Sequence, residues 1–254
     1  MANRHLSTER AYRELVRPRS GERRFQVAVE QTDLLVVAEH DLRVDIAAHV
    51  AAVRGVVKNW IVFHPEFGES LEPVSVPDGA PDIIRSMARA AASCGVGPMA
   101  AVAGAVAQAV GDAFVDQSPN LLVENGGDTY MHSTRERVVA LLADPESGAS
   151  IGLRLASDVF PISICASSGT IGHSLSLGSG DLVAVRARDA CFADAAATAL
   201  CNELRSEKDL DRVVRRAKAL AEFGLEGVFA QYDAKVAAWG AVELVALDAP
   251  SNRP

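Results

Sequence analysis

The sequence has no paired cysteines, no excess of positive charge and no apolar run suited to a signal peptide or a bilayer span. Each absence narrows what the chain can be. Its four cysteines, Cys94, Cys165, Cys191 and Cys201, show no Cys-x-x-Cys spacing and sit among apolar or small residues. That pattern fits buried free thiols in a reducing cytoplasm rather than a disulfide framework. A formal net charge of −8 and a pI of about 5.3 argue against a general nucleic-acid binder or a protein of anionic membrane surfaces. The first residues do carry arginines (Arg4, Arg10, Arg13, Arg17, Arg19, Arg23, Arg24), but Glu9, Glu14 and Glu22 interrupt them and no aromatic series follows. Residues 1–24 read as a solvated basic leader without the apolar core of a signal peptide, and nothing after it reads as a membrane span. There is no Gly-x-Ser-x-Gly elbow and no pair of metal-spaced histidines, which disfavours a serine hydrolase or a zinc hydrolase.

Nor is there an internal repeat, a domain linker or a regular alternation of strands and helices. With 254 residues, 49% of them hydrophobic, the chain suits one domain with a substantial core. Strands are expected over Phe25 to Glu30 and Leu34 to Glu39, and Ile46, Val50, Val53 and Val57 recur at helical spacing over Asp45 to Trp60. After a proline-marked connector (Pro73, Pro77, Pro81), Ile83 to Ser93 reads as a helix. A second helix follows Pro98, from Met99 to about Phe114, and is nearly devoid of side-chain bulk. Short apolar runs over Leu121 to Val123, Arg137 to Leu142, Gly152 to Leu155, Ile162 to Ala166 and Leu182 to Arg186 read as strands. Helices are expected over Cys191 to Leu204 and Ser206 to Phe223. Gly227 to Gln231 and Val236 to Leu247 then form a closing hairpin, and residues 248–254 a disordered tail. The mixture is α+β, with a mixed or antiparallel sheet and packed helices.

Three polar segments interrupt this pattern. The run Glu124-Asn125-Gly126-Gly127-Asp128 follows a buried strand. Paired glycines there permit a tight turn and leave amides open to a ligand, although an Asn-Gly pair is equally the mark of a plain hairpin. Ser167-Ser168-Gly169-Thr170 and His173, also behind a strand, supply hydroxyls and bare amides of the kind that cradle phosphate. On the helix after Cys191, Asp194 and Thr198 lie four residues apart on one face among small apolar residues. A carboxylate and a hydroxyl so placed suit a hard cation such as Mg2+. The plain alternative is Asp194 as a helix cap and Thr198 bonded back to a carbonyl.

Taken together, Gly97-Pro-Met-Ala-Ala-Val-Ala-Gly-Ala105, Val123-Glu-Asn-Gly-Gly-Asp128, Ala166-Ser-Ser-Gly-Thr170 and Ala193-Asp-Ala-Ala-Ala-Thr198 resemble, in order, the motifs of the ApbE superfamily. Its characterised members are Mg2+-dependent FAD:protein FMN transferases, and the nearer likeness is to an uncharacterised branch beside them. The resemblance covers roughly residues 25–247 and implies a single ApbE-like domain. It implies that Asp194 and Thr198 are metal ligands, and that Gly126, Gly127 and Asp128 form the flavin-side motif. Departures accompany it. Glu124 stands where the transferases usually have Asn. Only Gly104 survives of a Lys-Gly-Tyr, with Ala103 and Ala105 beside it, and the loop at His173 lacks the family's Asp and Pro.

The expectation is therefore a cytoplasmic Mg2+-dependent enzyme acting on a phosphate-bearing or nucleotide-like ligand, with FAD or a related flavin favoured. Glu124, Asn125, Gly126, Gly127, Ser167, Ser168, Gly169, Thr170 and Gly104 would line the ligand site, and Asp128 or His173 would act as general base. The partners expected are that ligand and an unidentified acceptor protein, with no nucleic acid and no membrane. Two rival readings are a binding module without turnover, and an unrelated enzyme using Cys165, Ser168 or His173.

Overall fold

The computed structural model describes residues 13, 16, 18–143, 150–169 and 182–247. Two expected site residues, Thr170 and His173, lie outside the described residues, as do the expected tail and most of the leader. The chain opens with a hairpin, β1 (Arg23–Val29) and β2 (Thr32–Ala38). Helix α1 (Arg43–Phe63) lays Ile46, Val50 and Val57 on the sheet at helical spacing and stops where His64 and Pro65 begin the short α2 (Pro65–Glu69). Helix α3 (Asp82–Cys94) ends at Gly95, whose φ of 74° makes a left-handed cap. A 3-10 turn at Pro98–Ala101 leads into α4 (Val102–Phe114).

A run of strands follows: β3 (Leu121–Asn125), β4 (Asp128–His132), β5 (Arg137–Ala143), β6 (Ser150–Leu155), β7 (Ile162–Ser167) and β8 (Leu182–Ala187). Helices α5 (Ala190–Glu203) and α6 (Leu210–Leu220) precede the last strands, β9 (Leu225–Tyr232), β10 (Lys235–Gly240) and β11 (Glu243–Leu247).

Eight strands form one antiparallel sheet in the order β1-β2-β3-β4-β7-β8-β9-β10, and β11-β6-β5 form a second. Alternation along each strand sorts its side chains between two layers. Ile162 and Ile164 of β7 meet Leu153 and Leu155 of the small sheet, whereas Cys165 faces the helices. The helical layer has two cores. One joins α1 and α4 to β1, β2 and β3 through Val36, Ile46, Val110 and Val123. The other joins α3, α5 and α6 to β7, β8 and β9 through Met87, Leu200, Val213 and Val228. The fold is α+β and antiparallel, as the composition of elements requires.

Three details differ from the sequence reading. Strand β4 was hidden because its Asp-Thr-Tyr-Met-His has polar residues on a buried face, and the stretch expected as one strand over Val236 to Leu247 is two, on different sheets. Helix α1 is long and apolar enough, by length and composition, to cross a membrane, which corrects the expectation that no segment is. Its run of valines and alanines is interrupted by only a few charges, and these are what made it read as an ordinary core helix.

Candidate metal and ligand site

Asn125 pairs with Asp128 across the β3–β4 turn, so Gly126 and Gly127 are the whole loop. Their φ values of 70° and 112° are both left-handed, the geometry a two-residue hairpin demands and other residues resist. The turn is therefore a hairpin, and it also carries buried chemistry. Glu124 and Asn125 point to opposite faces of the sheet. On the helical face the Asn125 side-chain amide donates to the Ala103 carbonyl at 3.1 Å, tying the turn to the start of α4. On the other face Glu124 is 3% exposed. Its Oε1 accepts the Gly127 amide at 2.7 Å, and its Oε2 accepts Arg13 Nε at 2.6 Å. Of the amides expected to be open to a ligand, that of Gly127 is thus already taken.

Arg13 was missed. Expected to be solvated with the rest of the leader, it is 8% exposed and also grips Asp33, through Oδ2 at 3.0 Å and the carbonyl at 2.8 Å. Nothing in the run of arginines sets it apart.

Two further acids meet on the helical face. Asp194 is not the cap of its own helix, because Asp189 fills that role by accepting the Phe192 amide at 2.9 Å. Instead Asp194 Oδ2 accepts the Gly104 amide at 2.9 Å, and the carboxylate is also hydrogen-bonded by the Ala103 amide. One helix thereby caps the first turn of another. The approach is close enough to dictate Gly104: a Cβ there would collide with the Ala190 carbonyl and lie 2.9 Å from Asp194 Cβ. Gly104 is thus a contact between helices, whereas its expected role was lining for a ligand. Thr198 follows Asp194 by one helical turn and is half-buried. Asp128, at the head of β4, accepts the Ala166 amide at 3.2 Å.

The electrostatics of this pair are unusual. Burial pushes the Asp194 carboxyl up to about 7, and the two backbone amides only partly offset it. Asp128 is driven well above the ordinary range by burial first and then by the charge of Asp194. The Cys165 thiol beside them is pushed up by burial and then by both acids, which keeps it protonated and inert. Among the described residues neither carboxylate has a cationic partner. Buried charges without partners either take up protons or hold a cation.

The donor set fits a hard divalent ion. Two carboxylates and a hydroxyl are oxygen ligands of the kind Mg2+ accepts while retaining waters or phosphate oxygens. Among the described residues no group of three or more His, Cys, Asp or Glu side chains forms a cage, so a site fully enclosed by such side chains does not fit. At the end of β7 the buried Ser167 hydroxyl has no hydrogen-bond partner among the described residues, an orphan that a ligand atom would satisfy. Ser168 and Gly169 follow it, leading towards Thr170.

Known proteins share this arrangement of elements. A family model described as "AbpE bacteria" matches residues 13–223. The chain belongs to that family. Among relatives of the AbpE chain, a UPF0280 protein of Methanopyrus kandleri is 38% identical over 201 residues, 78% of this chain and 80% of the relative. A UPF0280 protein of Archaeoglobus fulgidus is 36% identical over 225 residues, 86% of this chain and 92% of the relative. Two solved structures are similar in fold. The apo flavinyl transferase ApbE of Pseudomonas stutzeri gives a TM-score of 0.55 at 11% identity, covering 86% of this chain and 94% of the other. The H257G mutant of the flavin transferase ApbE of Vibrio cholerae gives 0.50 at 13% identity, covering 87% and 97%. The resemblance read from the four motifs thus holds: the domain is ApbE-like, of an uncharacterised branch.

Proposed function

We propose that this AbpE-family chain is a cytoplasmic, Mg2+-dependent enzyme that acts on a phosphate-bearing, nucleotide-like ligand, with a flavin such as FAD the favoured one. The observation that carries the reading is the Asp128/Asp194 pair, two buried carboxyls with no cationic partner among the described residues, the second of them on the helix that bears Thr198. Asp194 and Thr198 would hold the metal, with Asp128 facing it. When bound, the ion would neutralise charge on the ligand phosphates. The orphaned Ser167 hydroxyl, with Ser168, Gly169 and Thr170 behind it, would hold a phosphate or a ribose hydroxyl. A general base must come from Asp128 or His173, and the raised affinity of Asp128 for protons suits it to that role. The test is thermal: Mg2+ with FAD should raise the melting temperature, and Asp194→Ala should abolish the rise. An equal rise in the mutant would remove the metal assignment.

Transfer of FMN to a generic acceptor protein should be poor. Alignment of a dinucleotide for in-line attack needs a grip on its adenosine half. Ala103 and Ala105 carry neither charge nor ring, and Ala105 is buried in the core. Glu124 faces away from the acid pair and is engaged by Arg13. The same features favour a second reading, a protein that retains a flavin or nucleotide without turning it over. The assay is FAD, Mg2+ and an acceptor peptide, read as covalent flavin fluorescence on a denaturing gel beside an active transferase. A band of comparable strength would return the chain to the transferases. The rival nucleophile Cys165 is disfavoured by its burial and then by the two acids, which together hold its thiol protonated.

A further inference from the structure

The two acids of the candidate site stand on separate elements, Asp128 at the head of β4 and Asp194 on α5. A metal shared between them needs their spacing held to within about 0.5 Å. Asp128 is anchored from β7, by the Ala166 amide at 3.2 Å and by the Cys165 thiol. Asp194 is anchored from α4, by the Ala103 and Gly104 amides. The spacing of the acids therefore depends on where the first turn of α4 sits above the sheet. Further along that helix, Val106 and Val110 pack with Val123 and Tyr130 and seat it firmly. At Ala103, Gly104 and Ala105 it offers two methyl groups and a hydrogen. That is too little bulk to interlock, so hydrogen bonds set its place there.

Asn125 supplies the bond from the sheet. It stands directly opposite Asp128 in register and shares its face, and Cβ atoms in such a pair lie about 4.5–5.5 Å apart. Nearly buried, its side chain donates to the Ala103 carbonyl at 3.1 Å. A carbonyl oxygen only accepts, so the group that faces it is the NH2 of the side-chain amide. The same peptide unit is also engaged at its other end. Its oxygen belongs to Ala103, and its N–H is that of Gly104, which donates to Asp194 Oδ2 at 2.9 Å. Asn125 and Asp194 therefore grip opposite ends of one planar amide. Planarity makes the link stiff. An amide that accepts at its oxygen also donates more strongly at its nitrogen, by about 10–30% per bond. A side chain that stands beside one acid is in this way tied to the other.

We infer that Asn125 is a positioning residue of the metal site, setting the separation of Asp128 and Asp194 through the Ala103–Gly104 peptide. The inference rests on the reading of the acid pair as a metal site, and its test needs no turnover. The full chain is titrated with Mn2+, which takes the same oxygen ligands as Mg2+, and electron paramagnetic resonance separates free ion from bound. Asn125→Leu keeps the approximate volume and removes the donor. It should weaken Mn2+ binding about 10–100-fold, the usual cost of losing a group that orients a metal ligand. Asn125→Ala, which cannot overpack, should show a loss of the same order. Val213→Ala truncates a fully buried side chain in the α6 core, away from the acids. It should lower the melting temperature and leave Mn2+ affinity at the wild-type value, which separates positioning from a general loosening of the fold. Wild-type affinity in both Asn125 variants overturns the inference alone and leaves the acid pair as the site. An equal loss in Val213→Ala reduces Asn125 to a stabilising contact and overturns it too. A wild type that binds no Mn2+ removes the metal reading, and the role of Asn125 with it.

Discussion

The β3–β4 hairpin carries buried acid on both of its faces, and the two faces are treated in opposite ways. On one, Glu124 has a guanidinium at 2.6 Å and an amide at 2.7 Å, so its charge is matched and its oxygens are bonded. On the other, Asp128 meets Asp194, and what supports them is backbone amides and the Cys165 thiol. The first arrangement is complete and holds the turn in shape. The second has no matching cation among the described residues, and burial raises the proton affinity of both its carboxyls. Burial alone therefore does not single out a candidate functional acid, whereas burial without a matching charge does.

This contrast can be broken most forcefully from the completed side. Arg13→Ala strands Glu124 in the interior and should cost about 3–5 kcal/mol in urea denaturation, the loss typical when one partner of a buried pair is removed. A loss below about 1 kcal/mol would mean that the pair is no more than a surface bridge.

The incomplete side should respond to pH. The Asp194 carboxyl is raised from 3.8 to about 7 in the folded chain, so the folded state binds the extra proton. Its stabilisation is full below about pH 4 and is lost as pH rises through 7, a span of about 4 kcal/mol at most. In EDTA-treated protein the carboxyl's contribution should fall over that window, and Asp194→Asn should flatten the fall. A profile unchanged by Asp194→Asn would contradict the arrangement.

Gly104→Ala tests the contact that brings the pair together. Its Cβ would strike the Ala190 carbonyl, so overpacking of about 1–3 kcal/mol is expected, along with a weaker Mg2+ response. Normal stability in this variant would mean that α4 and α5 can part freely. The smallest effect belongs to Ser167. Its hydroxyl has no partner among the described residues, so Ser167→Ala should change stability by less than about 1 kcal/mol while lowering affinity for the phosphate-bearing ligand. Unaltered affinity would remove Ser167 from the site.

Much of this was legible before any coordinates. Gly126 and Gly127 are legible from the turn they require and the strands from short apolar runs, and the four-residue spacing puts Asp194 and Thr198 forward as a candidate pair on one helix. What the residues conceal is pairing across distance. Arg13 is one arginine among many, and only the fold brings it to Glu124, 111 positions away. The trans cap on α4 is equally invisible, because Asp194 and Gly104 are 90 positions apart and each looks ordinary in its own helix. Strand β4 was hidden for a related reason. The buried Asp128, Thr129 and Tyr130 break the apolar alternation from which strands are read.

The trans cap has one more consequence. The amides of Ala103 and Gly104 are bound to the very carboxylate that would take up a proton or an ion. Whatever changes the charge on Asp194 must change the strength of those two bonds and the polarisation of their N–H groups. The first turn of α4 is thus a built-in indicator. A two-dimensional amide spectrum should register occupancy of the acid pair as a shift at Gly104, and slower solvent exchange there would report the tightened bond, with no label on the ligand.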